Sequence, residues 1–241
     1  MCLIVFAWKV VPGIPLLAAA NRDEFYERPA APAAWWEDQA HIYAGRDLQG
    51  GGTWMGVTRE GRFAAITNIR APSERKEVAP SRGEIVAGYL SGIASPQQFV
   101  DDLAPRAGQY NGFNLLVGNR EELVWYSNGS PDDERNGKPL PPGVYGLSNG
   151  SLDSPWPKVV RTKAQFSSLL CQGAPEDAYF EMLSDTSQAP DCRLPRTGVS
   201  MEWERILSAV CIDSPGYGTR SSTVVRLPGS GAPILHERLV R

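Results

Sequence analysis

The sequence predicts an α+β protein built on antiparallel sheets, with helices packed against their outer faces. Three observations support this prediction. Short apolar runs come in pairs separated by turn residues, which is the pattern of β-hairpins. The helical patterns fall in blocks between these hairpins, which favours antiparallel sheets over strand–helix–strand crossovers. The 24 glycines and 20 prolines among 241 residues also favour turns and short strands over long helices.

The predicted strands are short apolar runs bounded by Gly, Pro, Asn or Asp. They lie at 2–8, 15–20, 53–58, 62–67, 113–117, 123–127, 144–148, 209–212, 222–227 and 234–239. The first two are joined by a Pro12–Gly13 turn, which predicts a hairpin. Residues 25–50, with Pro29 and Pro32, are expected to form a long irregular surface segment.

The predicted helices are segments with helical periodicity and recognisable first turns. They lie at 81–90, 96–103, 157–170, 176–183 and 201–206. Ser81 with Glu84 three residues later predicts a capping box. Ser95 and Pro96 fit the cap and first-turn positions of the next helix. No linker or internal repeat interrupts these elements, so we expect one domain over residues 1–241.

Composition and charge exclude several classes of protein. Hydrophobic residues make up 42% of the chain and charged residues 21%, with a formal net charge of −3. An acidic chain of this kind is not expected to bind nucleic acid. No apolar run is long enough for a membrane span, and the order of charge and apolar residues at the start does not fit a secretory signal.

The cysteines and histidines do not predict a metal centre. The four cysteines lack close ligand-pair spacing, and there are only two histidines. The cysteine content is also too low for a disulfide scaffold. We therefore expect no metal, no cofactor and a reducing cytoplasmic location, while the oligomeric state stays open.

Cys2 is the first candidate for chemistry. Removal of Met1 would leave Cys2 with a free α-amine, whose ordinary pKa of about 7.7–8.0 makes it a usable base at neutral pH. The thiolate is the reactive form of cysteine, so one residue would then supply both nucleophile and base. The alternative is an apolar cysteine at the start of a buried strand.

The second candidate is the charged tetrad Asn21–Glu24, which follows the second predicted strand. The hairpin would bring this end of the strand back beside Cys2. A carboxylate there could hold an ammonium group, and an arginine could steady a thiolate or bind a substrate carboxylate. The alternative is a solvated charged turn.

These residues together resemble the NRDE family, which includes the transport and Golgi organisation protein 2 group. The resemblance rests on Cys2, Asn21–Glu24, Gly51–Gly56, Thr67–Asn68, Tyr110–Leu115 and Gly146–Asn149. This family is similar to N-terminal nucleophile hydrolases of the choloylglycine hydrolase and penicillin V acylase group. The resemblance implies an αββα sandwich of two antiparallel sheets flanked by helices, and cleavage or transfer of an acyl group at a linear amide of a small non-peptide substrate.

The resemblance also implies roles for individual residues. The catalytic ones are Cys2 as nucleophile, Asp23 as the carboxylate that holds the α-amine, Asn149 as the oxyanion donor and Arg220 as the arginine that lowers the thiol pKa. The substrate-binding ones are Asn21, Arg22 and Asn68.

One departure from the hydrolase pattern concerns the arginine near the nucleophile. The hydrolases have an arginine three residues before the aspartate, where this chain has Ala20. Adjacent side chains on a strand point to opposite faces, so Arg22 and Asp23 cannot both face Cys2 on a regular strand. Either the chain bends there, or Arg22 is structural and Arg220 alone supplies the positive charge.

A second functional hypothesis is a non-catalytic carrier that binds haem, a lipid or acyl-coenzyme A in the same cleft. Other features are weaker signals. Gly50–Gly52 lacks the Lys-Ser/Thr of a phosphate loop and predicts a close-approach turn. Trp35, Trp36 and Trp54 form either an aromatic wall for a ligand or part of the core. The stretch Arg70, Arg75, Lys76 and Arg82 is typical of a solvated face, and could also meet a substrate carboxylate or phosphate.

Overall fold

The computed structural model describes residues 2–241, so the predicted removal of Met1 concerns a residue outside the described range. Its strands, β1–β13, run over Cys2–Val11, Ile14–Phe25, Ala30–Trp35, Ile42–Asp47, Met55–Thr58, Phe63–Asn68, Phe113–Gly118, Leu123–Ser127, Lys138–Pro139, Gly143–Leu147, Asp213–Ser214, Tyr217–Leu227 and Ile234–Leu239. Its α-helices, α1–α5, run over Gly83–Ser91, Pro96–Leu103, Pro157–Gln172, Glu176–Leu183 and Met201–Ile206. Short 3₁₀ turns occupy Pro72–Glu74, Ala104–Gln109 and Asp191–Arg193.

The strands form two antiparallel sheets that stack face to face. The first sheet runs β10–β1–β2–β12, and β12 also pairs with β11 and β13. The second runs from β3 to β9 in sequence order. A core of inward side chains fills the space between them, including Phe6 and Trp8 from the first sheet and Phe63 and Trp125 from the second.

Helices cover the outer face of each sheet. Helices α3 and α4 pack Phe166 and Tyr179 against Leu3 and Val5 of the first sheet. Helices α1 and α2 pack against the second sheet through residues such as Tyr89. The layers therefore follow the order helix, sheet, sheet, helix, which confirms the predicted αββα class.

Most predicted elements are confirmed, with three corrections. Residues 25–50 are not irregular, because they contain the paired strands β3 and β4. Residues 209–212 are buried but do not form a strand. Helix α1 begins after Arg82, and the Ser81 side chain makes no capping hydrogen bond there, whereas Ser95 caps α2 by accepting from the Gln98 amide.

Candidate active site

The first hairpin sets the geometry of the site. Gly13 adopts φ +74° in the turn between β1 and β2, a left-handed conformation that glycine adopts without a steric penalty. The register that follows places Cys2 directly opposite Arg22. Opposed residues of an antiparallel pair share a face, so both side chains lie on the face that looks towards the second sheet.

Cys2 lies in a cleft of about 360 Å³ that opens to solvent. The cleft is formed mainly by the end of β2, the segments before β5 and α1, and the end of β6; its side chains include Arg22, Asp23, Glu24, Arg28, Asp47, Trp54, Asn68, Arg82 and Asn111. The Cys2 side chain is half-buried. Burial raises the pKa of its thiol, and the positive charge of Arg22 opposes that rise. The thiol is therefore protonated at neutral pH, and a base is needed to make it a nucleophile.

Asp23 projects from the opposite face of β2 at the edge of the same cleft. Thr219, its cross-strand partner on β12, donates from Oγ1 to Asp23 Oδ1 at 2.7 Å. Burial raises the pKa of the Asp23 carboxyl, while the nearby positive charge of Lys158 lowers it. Asp23 thus has a cationic neighbour on the helix side of the sheet.

Lys158 is a functional candidate that the sequence reasoning missed. It lies in the first turn of α3 and is only 1% exposed, and its Nζ has no hydrogen-bond partner within residues 2–241. Burial lowers the pKa of Lys158 to about 8, and the negative charge of Asp23 limits the fall. The available signal was a lysine on the face of the predicted helix that also carries Thr162 and Phe166, both buried.

Arg22 stays on a regular strand and lines the cleft. Its guanidinium stacks on the Trp54 ring, with Cζ 4.1 Å from the ring centroid. The register shift of this strand pair lies in β12, not at Arg22–Asp23 in β2. The expected choice between a bend in β2 and a purely structural Arg22 therefore does not arise, because Arg22 shares the face of Cys2 without any bend.

Asn21 is placed away from the cleft's polar lining. Its Nδ2 donates to the carbonyls of Leu183 and Val210 at 2.8 and 2.9 Å, and its Oδ1 accepts from Ser222 Oγ at 2.6 Å. The side chain is 1% exposed and faces the helix layer. Because these contacts occupy its amide, the Asn21 side chain is not available to a substrate. The structure therefore does not place Asn21 in the substrate-binding role that the resemblance implies.

Asn68 and Asn149 lie one behind the other. Asn68 lines the cleft, while Asn149 is buried and donates from Nδ2 to the Asn68 carbonyl at 2.8 Å. Beside them, Ser148 donates from Oγ to the backbone carbonyl of Cys2 at 2.9 Å. The amide of Asn68 is therefore presented to the cleft. Asn149, the oxyanion donor that the resemblance implies, lies outside the cleft lining and fixes the backbone that carries Asn68.

Arg220 does not lie where the sequence predicts it. The bulge between Thr219 and Ser221 turns this residue away from the cleft. Its Nη1 donates to the carbonyls of Phe25, Tyr26 and Arg28 at 3.0–3.2 Å. The guanidinium thus holds the turn after β2, and the arginine of β2 takes the place beside Cys2 that was expected for Arg220.

The wall opposite Cys2 is formed by two closely packed backbones. A Cβ on Gly52 would lie 2.3 Å from the Gly83 carbonyl carbon, so only glycine fits there. The Thr53 amide donates to the Gly83 carbonyl at 3.3 Å. This contact fixes the start of α1, and with it Arg82, against the segment that leads to Trp54.

Two features are absent from the described residues 2–241. No group of three or more His, Cys, Asp or Glu side chains is arranged to hold a metal ion. None of the helices within that range has both the length and the apolar character that crossing a bilayer requires.

Comparison with known proteins agrees with this architecture. The solved structure of the Caenorhabditis elegans orthologue of N-acylethanolamine-hydrolysing acid amidase matches with a TM-score of 0.51 at 12% identity, over 95% of this chain and 94% of that one, which shows a shared fold. The Bos taurus homologue of transport and Golgi organization protein 2 is 35% identical over 99% of this chain and 92% of its own length. The Drosophila melanogaster protein of that name is 29% identical over 93% and 87%. The model of the family described as Transport and Golgi organisation 2 matches residues 1–241, and this chain belongs to that family.

Proposed function

We propose that the protein hydrolyses or transfers an acyl group from a linear amide of a small non-peptide substrate, with Cys2 as the nucleophile. The observation that carries this proposal is the position of Cys2 at the start of β1, half-buried in an open cleft and opposite Arg22. The shared fold supports it, because the amidase named above hydrolyses N-acylethanolamines, which are linear amides.

The proposed mechanism begins with loss of Met1, which frees the α-amine of Cys2. That amine accepts the thiol proton, and Sγ attacks the amide carbon to form a tetrahedral intermediate. The proton passes to the leaving amine as the carbon–nitrogen bond breaks, which leaves a thioester on Cys2. Water, or another acceptor in the transfer reaction, then takes the acyl group and restores the thiol.

Other residues serve this step in the proposal. Asp23 holds the α-ammonium, and Lys158 limits the rise of the Asp23 pKa. The Asn68 amide donates to the oxyanion, with Asn149 as its positioning residue, and a donor of this kind contributes on the order of 3 kcal/mol in acyl transfer. Arg22 takes the cationic role beside the thiol that Arg220 does not reach.

The test combines intact mass with acylation. We expect the intact mass of the purified protein to show that Met1 is absent, and p-nitrophenyl acetate to acetylate Cys2 in the resulting chain. Cys2→Ala and a version with one extra residue before Cys2 should both lose this adduct, while Cys171→Ala, a matched exposed cysteine, should keep it. Unchanged turnover of the ester by Cys2→Ala would rule out the mechanism.

The carrier hypothesis predicts a different result in the same assays. A carrier would bind haem, a lipid or acyl-coenzyme A in the cleft and form no acyl adduct on Cys2. Thermal-shift measurements with these three ligands, made beside the acetylation assay, separate the two hypotheses.

A further inference from the structure

We propose that the cleft binds a carboxylate group between Arg22 and Arg82, so that the amide substrate carries a single negative charge close to the bond that is cleaved. The description of this carboxylate as part of a substrate rests on the proposed function. The anion site itself does not depend on that function.

Arg22 is a buried cation without a protein partner in the described part of the chain. The residue is only 7% exposed and lines the cleft, yet its guanidinium makes no hydrogen bond or ion pair with any residue in 2–241. Arg70, a second buried arginine, has a protein partner, since its Nη1 binds Glu204 Oε2 at 2.8 Å, while its Nε and Nη2 make no hydrogen bond within residues 2–241. A buried arginine is normally paired. The donors of Arg22 instead face the open cleft, where a partner from outside the chain can reach them.

Trp54 fixes the orientation of the Arg22 guanidinium. The Trp54 ring, 4.1 Å from Arg22 Cζ, covers one face of the guanidinium. The N–H groups along its edge stay free of hydrogen bonds to other described residues. Such an edge matches the two oxygens of a carboxylate or phosphate in a bidentate contact. Because Trp54 holds the plane of the group, less conformational entropy is lost when the anion binds.

Arg82 lines the same cleft, directly before the start of α1. Its Nη1 donates to the Gly112 carbonyl at 3.0 Å, and no acidic side chain within residues 2–241 forms an ion pair with it. Both Arg82 and Arg22 interact electrostatically with Cys2. An anion held by the two arginines would therefore lie near the thiol.

The charges of the side chains that line the cleft favour a carboxylate over a phosphate. Arg28 is paired with Asp47 at 2.6 Å, and Asp23 is matched by Lys158 behind it. The remaining charged side chains that line the cleft are Arg22, Arg82 and Glu24. With the α-amine of Cys2 in the unprotonated form that acts as base, one unit of positive charge is left among these side chains, which one carboxylate neutralises and a phosphate dianion exceeds.

The experiment compares two alkylating reagents of similar shape, iodoacetate and iodoacetamide. In both, the cysteine sulfur forms a bond to the CH₂ carbon as iodide leaves, and only iodoacetate carries a carboxylate. Peptide-resolved mass spectrometry gives the ratio of the two rates at Cys2 and at exposed Cys171, the internal reference. We expect the iodoacetate-to-iodoacetamide ratio to be about tenfold higher at Cys2 than at Cys171, since hydrogen bonds to charged groups are among the strongest.

Three variants test the assignment. Arg22→Gln and Arg82→Gln should each bring the Cys2 ratio close to that of Cys171. Arg106→Gln removes the same charge from an exposed position outside the cleft and should leave the ratio unchanged. A change in thiol pKa affects both reagents alike and cancels in the ratio. Should Arg22→Gln fail to fold, the wild-type ratio and Arg82→Gln still decide.

Competition distinguishes the sources of the anion. At matched ionic strength, acetate should slow iodoacetate at Cys2 more than inorganic phosphate does. Equal ratios at Cys2 and Cys171, or no reaction of Cys2 with either reagent, would overturn the proposal, and stronger protection by phosphate would replace the carboxylate with a phosphate-bearing ligand. None of these readouts needs turnover, so the absence of an acetyl adduct on Cys2 would count against the proposed function alone.

Discussion

The two faces of β2 differ sharply over the four residues from Asn21 to Glu24. On the helix side, Asn21 and Asp23 are buried and bound by neighbouring strands and loops. On the cleft side, Arg22 is also buried, at 7% exposed against 1% for Asn21 and Asp23, but has no protein partner within the described chain. Residues that are adjacent in sequence therefore have different roles. One face holds the sheet and its helix layer together, and the other is available to a ligand.

The largest effect on stability is expected at Asn21. Asn21→Ala removes three buried hydrogen bonds and leaves two carbonyls and one hydroxyl without their partner, so we expect a loss of about 3 kcal/mol in the free energy of unfolding. Urea denaturation measures it. Asn68→Ala is the matched control, because the Asn68 side chain makes no hydrogen bond within residues 2–241 and should cost less than about 1 kcal/mol. Equal losses would contradict the division between the two faces.

The next effect concerns Lys158 and pH. Its folded pKa is about 8 and its ordinary value is 10.5. Between these values the unfolded chain holds a proton that the folded chain has released, so the free energy of unfolding should rise with pH. The rise assigned to Lys158 is about 3 kcal/mol.

The check is the difference in unfolding free energy between wild type and Lys158→Met, measured from pH 7 to 10.5. We expect this difference to change across the window. Lys163→Met, on the same helix but partly exposed and paired with Asp153 at 2.7 Å, should follow the wild-type profile. A Lys158→Met profile parallel to wild type would show that folding does not lower the pKa of Lys158.

A smaller effect is expected at Arg220. Arg220→Ala frees the carbonyls of the turn after β2, which are near the surface, so about 1 kcal/mol should be lost. The rate at which iodoacetamide modifies Cys2 should change less than twofold. A tenfold fall in that rate would instead support the catalytic role that the sequence predicts for Arg220.

The smallest effect on stability is expected at Arg22. Arg22→Gln removes a stacked cation but no hydrogen bond to another described residue, so the loss should be under about 1 kcal/mol. Its chemical effect is larger. The charge of Arg22 lowers the Cys2 pKa, so its removal raises that pKa and decreases the thiolate fraction. Iodoacetamide should therefore react with Cys2 several times more slowly at pH 8, whereas a large loss of stability with unchanged reactivity would reverse the assignment of the two faces.

The sequence was sufficient for the hairpin that brings the tetrad to Cys2. Its signals are local: a Pro-Gly turn between two apolar runs whose lengths return Arg22 to Cys2. The strand β3 was missed because Pro32 masks it at the edge of a sheet, where proline is tolerated, and its partner β4 was missed with it.

Which face of β2 is buried could not be read from the tetrad, since all four residues are polar. The covering helices α3 and α4 come more than 130 residues later in the chain. The outward turn of Arg220 depends on a bulge that leaves no clear mark in the sequence around Thr219 and Ser221. Both outcomes were decided by long-range packing, which local patterns do not encode.

The contact between Gly52 and Gly83 limits how this cleft can vary among related proteins. Any side chain at Gly52 would push α1 away from the second sheet and displace Arg82 with it. The position of this wall is therefore fixed, and it limits the size of a bound molecule on that side of the cleft. Adaptation to longer or bulkier ligands is expected in the loop that precedes α1, at Ala79 and Pro80, where the chain can change length without disturbing either sheet.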